Sequence, residues 1–143
     1  MSTSYKILLF LHIASVVAAF GPMLAAPLTA AQARKDGDER RVVGYFAANN
    51  RKVHMPALGL AGLFGIGLIF SSDDVWEFSQ TWVSLSFLVW FALCGVVSGM
   101  IMPAERAFAA GDQAAERKVA LGGQIATVLF LVILYLMIFK PGA

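Results

Sequence analysis

Long apolar runs separated by short charged segments dominate this chain. Residues 5–31, 53–71, 79–102 and 119–139 are almost free of Asp, Glu, Lys and Arg. About 20 consecutive apolar residues cross a hydrocarbon core of about 30 Å, so each segment is long enough to span a membrane as a helix. The pattern predicts an all-α, polytopic membrane protein, with one four-helix transmembrane bundle over residues 1–143 and no room for a separate soluble domain. Gly21-Pro22 lies inside the first segment. Proline removes one helical hydrogen bond, so a kink is expected near Ala18 to Pro22, with the freed carbonyl satisfied by a neighbouring helix or water.

Composition agrees with the pattern. Of 143 residues, 59% are hydrophobic and 14% charged, against about 25% charged in soluble domains. A net charge of +2 is too small to imply a nucleic-acid partner. The distribution of the basic residues says more. Arg34, Lys35, Arg40, Arg41, Arg51 and Lys52 form a predicted interfacial basic loop between the first two helices, and Arg106, Arg117 and Lys118 lie between the last two. Only Lys6 and Lys140 fall on the other side, beside Asp73, Asp74 and Glu77. Nine basic residues against two predict both basic loops in the cytoplasm and both termini outside. Trp76, Trp82, Tyr5 and Tyr135 fall at the opposite, headgroup depth, where amphipathic rings prefer to sit.

Lys6 before an apolar run, with "AQA" at 31–33, has the outline of a cleaved leader. The run exceeds the 7 to 15 or so apolar residues usual there and contains Pro22, so a retained helix is expected. In the first basic loop, Val42, Val43, Tyr45 and Phe46 make an apolar face beside Arg40, Arg41 and Arg51. This face predicts either a short helix on the inner surface, docking a partner or lipid headgroups, or a solvated connector. The acidic turn lacks the regular ligand spacing of a calcium loop and reads as a solvated turn.

Small residues mark candidate contact faces. Gly59, Gly62 and Gly65 recur every three residues on helix 2, and Gly95 and Gly99 on helix 3 make a G-x-x-x-G pair beside Ser98. Cys94 is the only cysteine, which excludes an intrachain disulfide, and it reads as a packing residue. The spans hold no acidic residue and no arginine, so paired carboxylates, a nucleophilic triad and a metal cluster are all missing and no enzyme is expected. A homo-oligomeric pore would need Ser84, Ser98, Gln124 and Thr127 to converge.

His12 and His54 are the only histidines. His12 lies seven residues after Tyr5, about 10 Å below the outer interface, and His54 opens helix 2 at the inner one. The two rings are therefore expected about 20 Å apart across the core, too far to grip one iron from both faces. His12 either hydrogen-bonds a serine, Gln124 or a backbone carbonyl of a neighbouring helix, or binds a haem or metal alone or with a second chain.

The stretches "LLFLHIASVVAAFGP", "SSDDVWEFSQTWVSLSF" and "LYLMIFKPG" together resemble the bacterial integral membrane proteins catalogued as domain of unknown function 2269. The resemblance covers essentially the whole chain and implies a multi-pass protein of the bacterial plasma (inner) membrane with no assigned activity. A weaker similarity of the "FLH" start links His12 to small membrane proteins whose first-helix histidine binds haem, or which are associated with copper handling. Together these observations predict a non-catalytic accessory or stabilising subunit, with no cofactor. Its expected partners are the lipid bilayer and other membrane-protein subunits, a transporter of lipid or another apolar substrate first among them. The alternative is a haem-binding or metal-linked membrane redox protein using His12.

Overall fold

The computed structural model describes residues 2–143, except the side chains of Pro27 and Ala30. It is all-helical, with 84% of residues in helices. Four helices run antiparallel to their neighbours: α1 (Thr3–Asp36), α2 (Glu39–Phe70), α3 (Thr81–Ala109) and α4 (Ala115–Phe139). All four are long and apolar enough to cross a membrane. The outward surface is apolar: Phe10, Leu28 and Phe70 are 70%, 76% and 79% exposed. In water such a surface would drive aggregation; facing lipid it costs nothing.

The helices are longer than the apolar runs because charged residues continue them past the expected ends. Where residues 32–52 were expected to form a basic loop, only Gly37 and Asp38 leave the helix. Gly37 adopts a left-handed φ of 76°, and its N–H and that of Asp38 close the last turn of α1 onto the carbonyls of Arg34 and Ala33. Arg34 and Lys35 therefore end α1, Arg40 and Arg41 begin α2, and Arg51 and Lys52 lie in its middle, all six exposed. Val43 is not spread on a surface. It is buried against Phe108 and Ala115, clamping the beginning of α2 to the end of α3 and the start of α4.

Two widened turns interrupt regular pitch, Asn50–His54 in α2 and Val97–Ile101 in α3. Each is followed directly by Met-Pro, at Met55-Pro56 and Met102-Pro103. A proline ring presses on the carbonyl four residues back. Here the methionine before it donates five residues back, Met55 to Asn50 and Met102 to Val97, which expands the turn and relieves the clash. α1 carries Pro22 without such a turn and continues as α-helix to Asp36.

The core is a narrow column of Ala19, Phe20, Ala57, Leu58, Leu93, Val97, Ile101 and Ala126. Phe20 stacks on Phe130 with centroids 4.2 Å apart, joining α1 to α4. Glycine matters where helices approach closely: a Cβ on Gly62 would overlap the Trp90 ring, and one on Gly122 would come within 2.7 Å of Ile101. At Gly59 a Cβ would meet nothing within 4 Å. Gly62→Ala is therefore expected to destabilise the bundle by about 1–3 kcal/mol. Gly59→Ala should leave it unchanged or slightly firmer, since alanine is the better helix former. Thermal unfolding of the two variants in the same detergent compares them, and equal midpoints would remove the close contact at Gly62.

Candidate functional site

Three side chains donate hydrogen bonds across helices to backbone carbonyls. His12 Nδ1 of α1 lies 2.8 Å from the Ala61 oxygen of α2, and His54 Nδ1 of α2 lies 3.0 Å from the Ala18 oxygen of α1. Trp90 Nε1 of α3 donates to the Leu58 oxygen of α2 at 3.0 Å. A carbonyl only accepts, so both histidines carry hydrogen on Nδ1. Ala18, Leu58 and Ala61 share one property. Each lies four residues before a residue that uncovers its carbonyl: Pro22, Gly62 and Gly65. Pro22 has no N–H to give Ala18, so His54 replaces the missing donor. Glycine removes the Cβ that would shield the oxygen, and a Cβ on Gly65 would lie only 3.5 Å from the His12 ring.

These contacts correct the expected spacing of the histidines. His54 is level with Ala18, six residues along α1 from His12, or about 9 Å instead of 20 Å. The error came from starting helix 2 near residue 53, whereas α2 begins at Glu39 and carries His54 well into the bundle. The two rings still belong to different cavities.

The first cavity, about 380 Å³, lies toward the tryptophan end and is lined by His12, Tyr5, Trp76, Trp82, Trp90 and Lys140 among others. Aromatic rings gather at this end: Lys140 Nζ lies 3.9 Å from the Trp76 ring centre, and Trp76 packs edge-on against Trp82. Trp76 Nε1 donates to the Tyr5 hydroxyl at 3.2 Å. Tyr5 and Trp82 are buried here, while Tyr135 is exposed. With Nδ1 engaged by Ala61, His12 presents its remaining ring nitrogen to an apolar, aromatic chamber.

The second cavity, about 560 Å³, lies toward the arginine end between α1 and α4. Both widened turns contribute to its wall, through Asn50 and His54 and through Val97 and Ile101. Its mouth carries Arg34, which pairs with Glu39 at 2.7 Å and with Glu116, tying the ends of three helices together. Exposed pairs of this kind add about 0–1 kcal/mol each, so their role is to order the rim. Deeper in, Glu105 is only 7% exposed. Its Oε2 accepts from Asn50 Nδ2. Phe20 and Leu58 line both cavities.

The sequence-derived candidates distribute unevenly over this arrangement. Gly62 sits at a close approach and Gly65 at ordinary contact distance from the His12 ring, whereas a Cβ at Gly59, Gly95 or Gly99 would meet nothing within 4 Å. The hydroxyls of Ser84, Ser98 and Thr127 donate to carbonyls of their own chain segment, at Phe78, Cys94 and Gly123, and do not converge. Glu105, Asn50 and Trp90 were missed. Glu105 lies beyond the apolar run, which stops at Met102. Yet Ile101, Ala104, Glu105 and Phe108 follow the helical spacing of a buried stripe, and all four are buried. Among the described residues, no group of three His, Cys, Asp or Glu side chains could hold a metal ion.

Fold and site together define a multi-pass, all-helical membrane protein whose four helices line two cavities. The chain matches no family model, no curated protein and no solved structure.

The clasp between His54 and Ala18 is testable. His54→Ala strands a carbonyl already deprived of its helical donor and should cost about 1 kcal/mol. Pro22→Ala supplies an N–H to that carbonyl, so His54→Ala should cost measurably less in the Pro22→Ala background. A double-mutant cycle by reversible unfolding reads the difference. Equal costs in both backgrounds would show that the imidazole does not serve the proline gap.

Proposed function

We propose that this chain is a non-catalytic subunit that associates, within a bacterial plasma membrane and with its arginine end in the cytoplasm, with another integral membrane protein. A transporter of lipid or another apolar substrate is the partner that suits an uncharged outer surface. The observation that carries this reading is the outer face of α3, where Ala92, Gly95, Ser98 and Gly99 are exposed and the two glycines have open space around them. Glycine costs a helix about 1 kcal/mol relative to alanine, and no contact within the bundle uses these two. In lipid, small residues every four positions let a second helix approach closely and gain dispersion contacts. The resemblance to the domain-of-unknown-function 2269 proteins belongs to the same reading, as does the orientation, which rests on the nine basic residues gathered at one end.

Purification through a tag at native expression in mild detergent, followed by mass spectrometry, is expected to return a second membrane protein in comparable amount. The double variant Gly95→Leu, Gly99→Leu should lose that protein while keeping its own thermal midpoint, because the added side chains point into free space. Recovery of this chain alone from native membranes would overturn the reading.

A second reading is favoured by one contact. The bond from His12 Nδ1 to the Ala61 carbonyl is the arrangement that orients an imidazole to ligate through its other nitrogen, here toward the aromatic chamber. Haem held there would have His12 as its one histidine ligand, since His54 faces the other cavity. Protein from haem-replete cells should then show a Soret band that His12→Ala abolishes, and a colourless preparation would end this alternative.

A further inference from the structure

We propose that the arginine-end cavity is a binding site for an amphiphilic organic cation, an amine whose ammonium group is received by Glu105 and whose apolar body lies along Phe20, Leu58, Val97 and Ile101. Four observations meet there. Glu105 is more than nine-tenths buried and lines a chamber of about 560 Å³. One of its carboxylate oxygens accepts from Asn50, and among the described residues no protein donor reaches the other. No basic side chain neutralises it, since the ion pairs of the described residues all belong to Arg34. The ionisable acids and bases lining the chamber, apart from His54, are Glu39, Glu105 and Glu116 against the single Arg34, so the lining favours a cation over an anion.

The walls set the rest of the chemistry. An isolated carboxylate in an apolar surround is costly, and the cost is removed by a counter-charge that also donates a hydrogen bond. A bare divalent ion fits poorly, because no cluster of three ligating side chains exists among the described residues. An ammonium donor needs one good acceptor and tolerates apolar walls around its substituent. Gln124 and Thr127, on the α4 side of the chamber, add polar surface without charge. This site does not depend on whether the outer face of α3 recruits a partner.

The test uses the full-length protein, tagged, immobilised in detergent and probed with radiolabelled 4-phenylbutylamine in a proximity assay. Saturable binding is expected, displaced by unlabelled amine but not by 4-phenylbutanol or 4-phenylbutyrate, which keep the apolar body and replace the cation with a neutral or negative group. Glu105→Gln should weaken binding about tenfold or more, the usual scale for losing a charged hydrogen-bond partner. A second variant guards against misfolding: Gly123 lines the same chamber, and a Cβ there meets nothing within 4 Å, so Gly123→Leu fills the space without a clash. It should abolish binding with an unchanged elution profile and thermal midpoint. Equal displacement by the alcohol or the carboxylate, or undiminished binding in Glu105→Gln or in Gly123→Leu, would overturn the proposal.

Discussion

Every carbonyl in an apolar setting needs a donor, and the fold is organised by the few that are left without one or made open to a second. Pro22 deprives Ala18, and His54 answers from α2. Gly62 and Gly65 uncover Leu58 and Ala61, and Trp90 and His12 answer from α3 and α1. Two of these bonds run in opposite senses between α1 and α2. Two antiparallel helices joined by reciprocal donors at two levels cannot slide by a turn without breaking both. Register is therefore fixed by polar contacts in a bundle whose apolar surfaces would tolerate many offsets, lipid being as apolar as leucine.

The prolines then decide where space remains. In α2 and α3 the clash is relieved within the helix by a widened turn, so no partner has to supply a donor from outside. Such turns disturb the regular packing of ridges into grooves, and both lie along the same chamber. Polar side chains gather there for the same reason. Asn50 and His54 belong to one widened turn, and Glu105 lies four residues beyond the other. At the tryptophan end regular pitch is kept and the chamber is lined by rings, Trp76 against Trp82 and both beneath Lys140.

Four apolar runs were enough to read the helix count, because crossing a hydrocarbon core demands length and apolarity and little else. Boundaries were not legible from the same signal. Charged residues in "ARKDGDERR" continue a helix as readily as they make a loop, and only Gly37 marks the turn, through its left-handed backbone. Misplacing that boundary moved His54 from the bundle to an expected interface and hid its bond to Ala18. The role of Pro22 was half readable: the need for a donor follows from the residue itself, but its supplier depends on the register of α1 against α2. Glu105 was readable in principle from the spacing Ile101, Ala104, Glu105, Phe108, which a hydropathy window ending at Met102 cuts in two. Of the three glycines singled out on α2, spacing alone could not separate Gly59 from Gly62 and Gly65, because which side of a helix meets a neighbour is a tertiary fact.

The two chambers differ in charge and meet at two shared side chains, Phe20 and Leu58. Lys140 belongs to one and Glu105 to the other, so a ligand suited to the second meets a like charge at the first. Between them Phe20 stacks on Phe130 and Leu58 fills the level at which Trp90 holds α2. Passage from end to end would require the Phe20 ring to leave that stack, giving up about 0.5–1.5 kcal/mol of aromatic contact beyond its burial. It would also require Leu58, one of the most buried side chains, to move away from the column it completes. A path lined by water would further need polar groups at this level, and the side chains there are apolar.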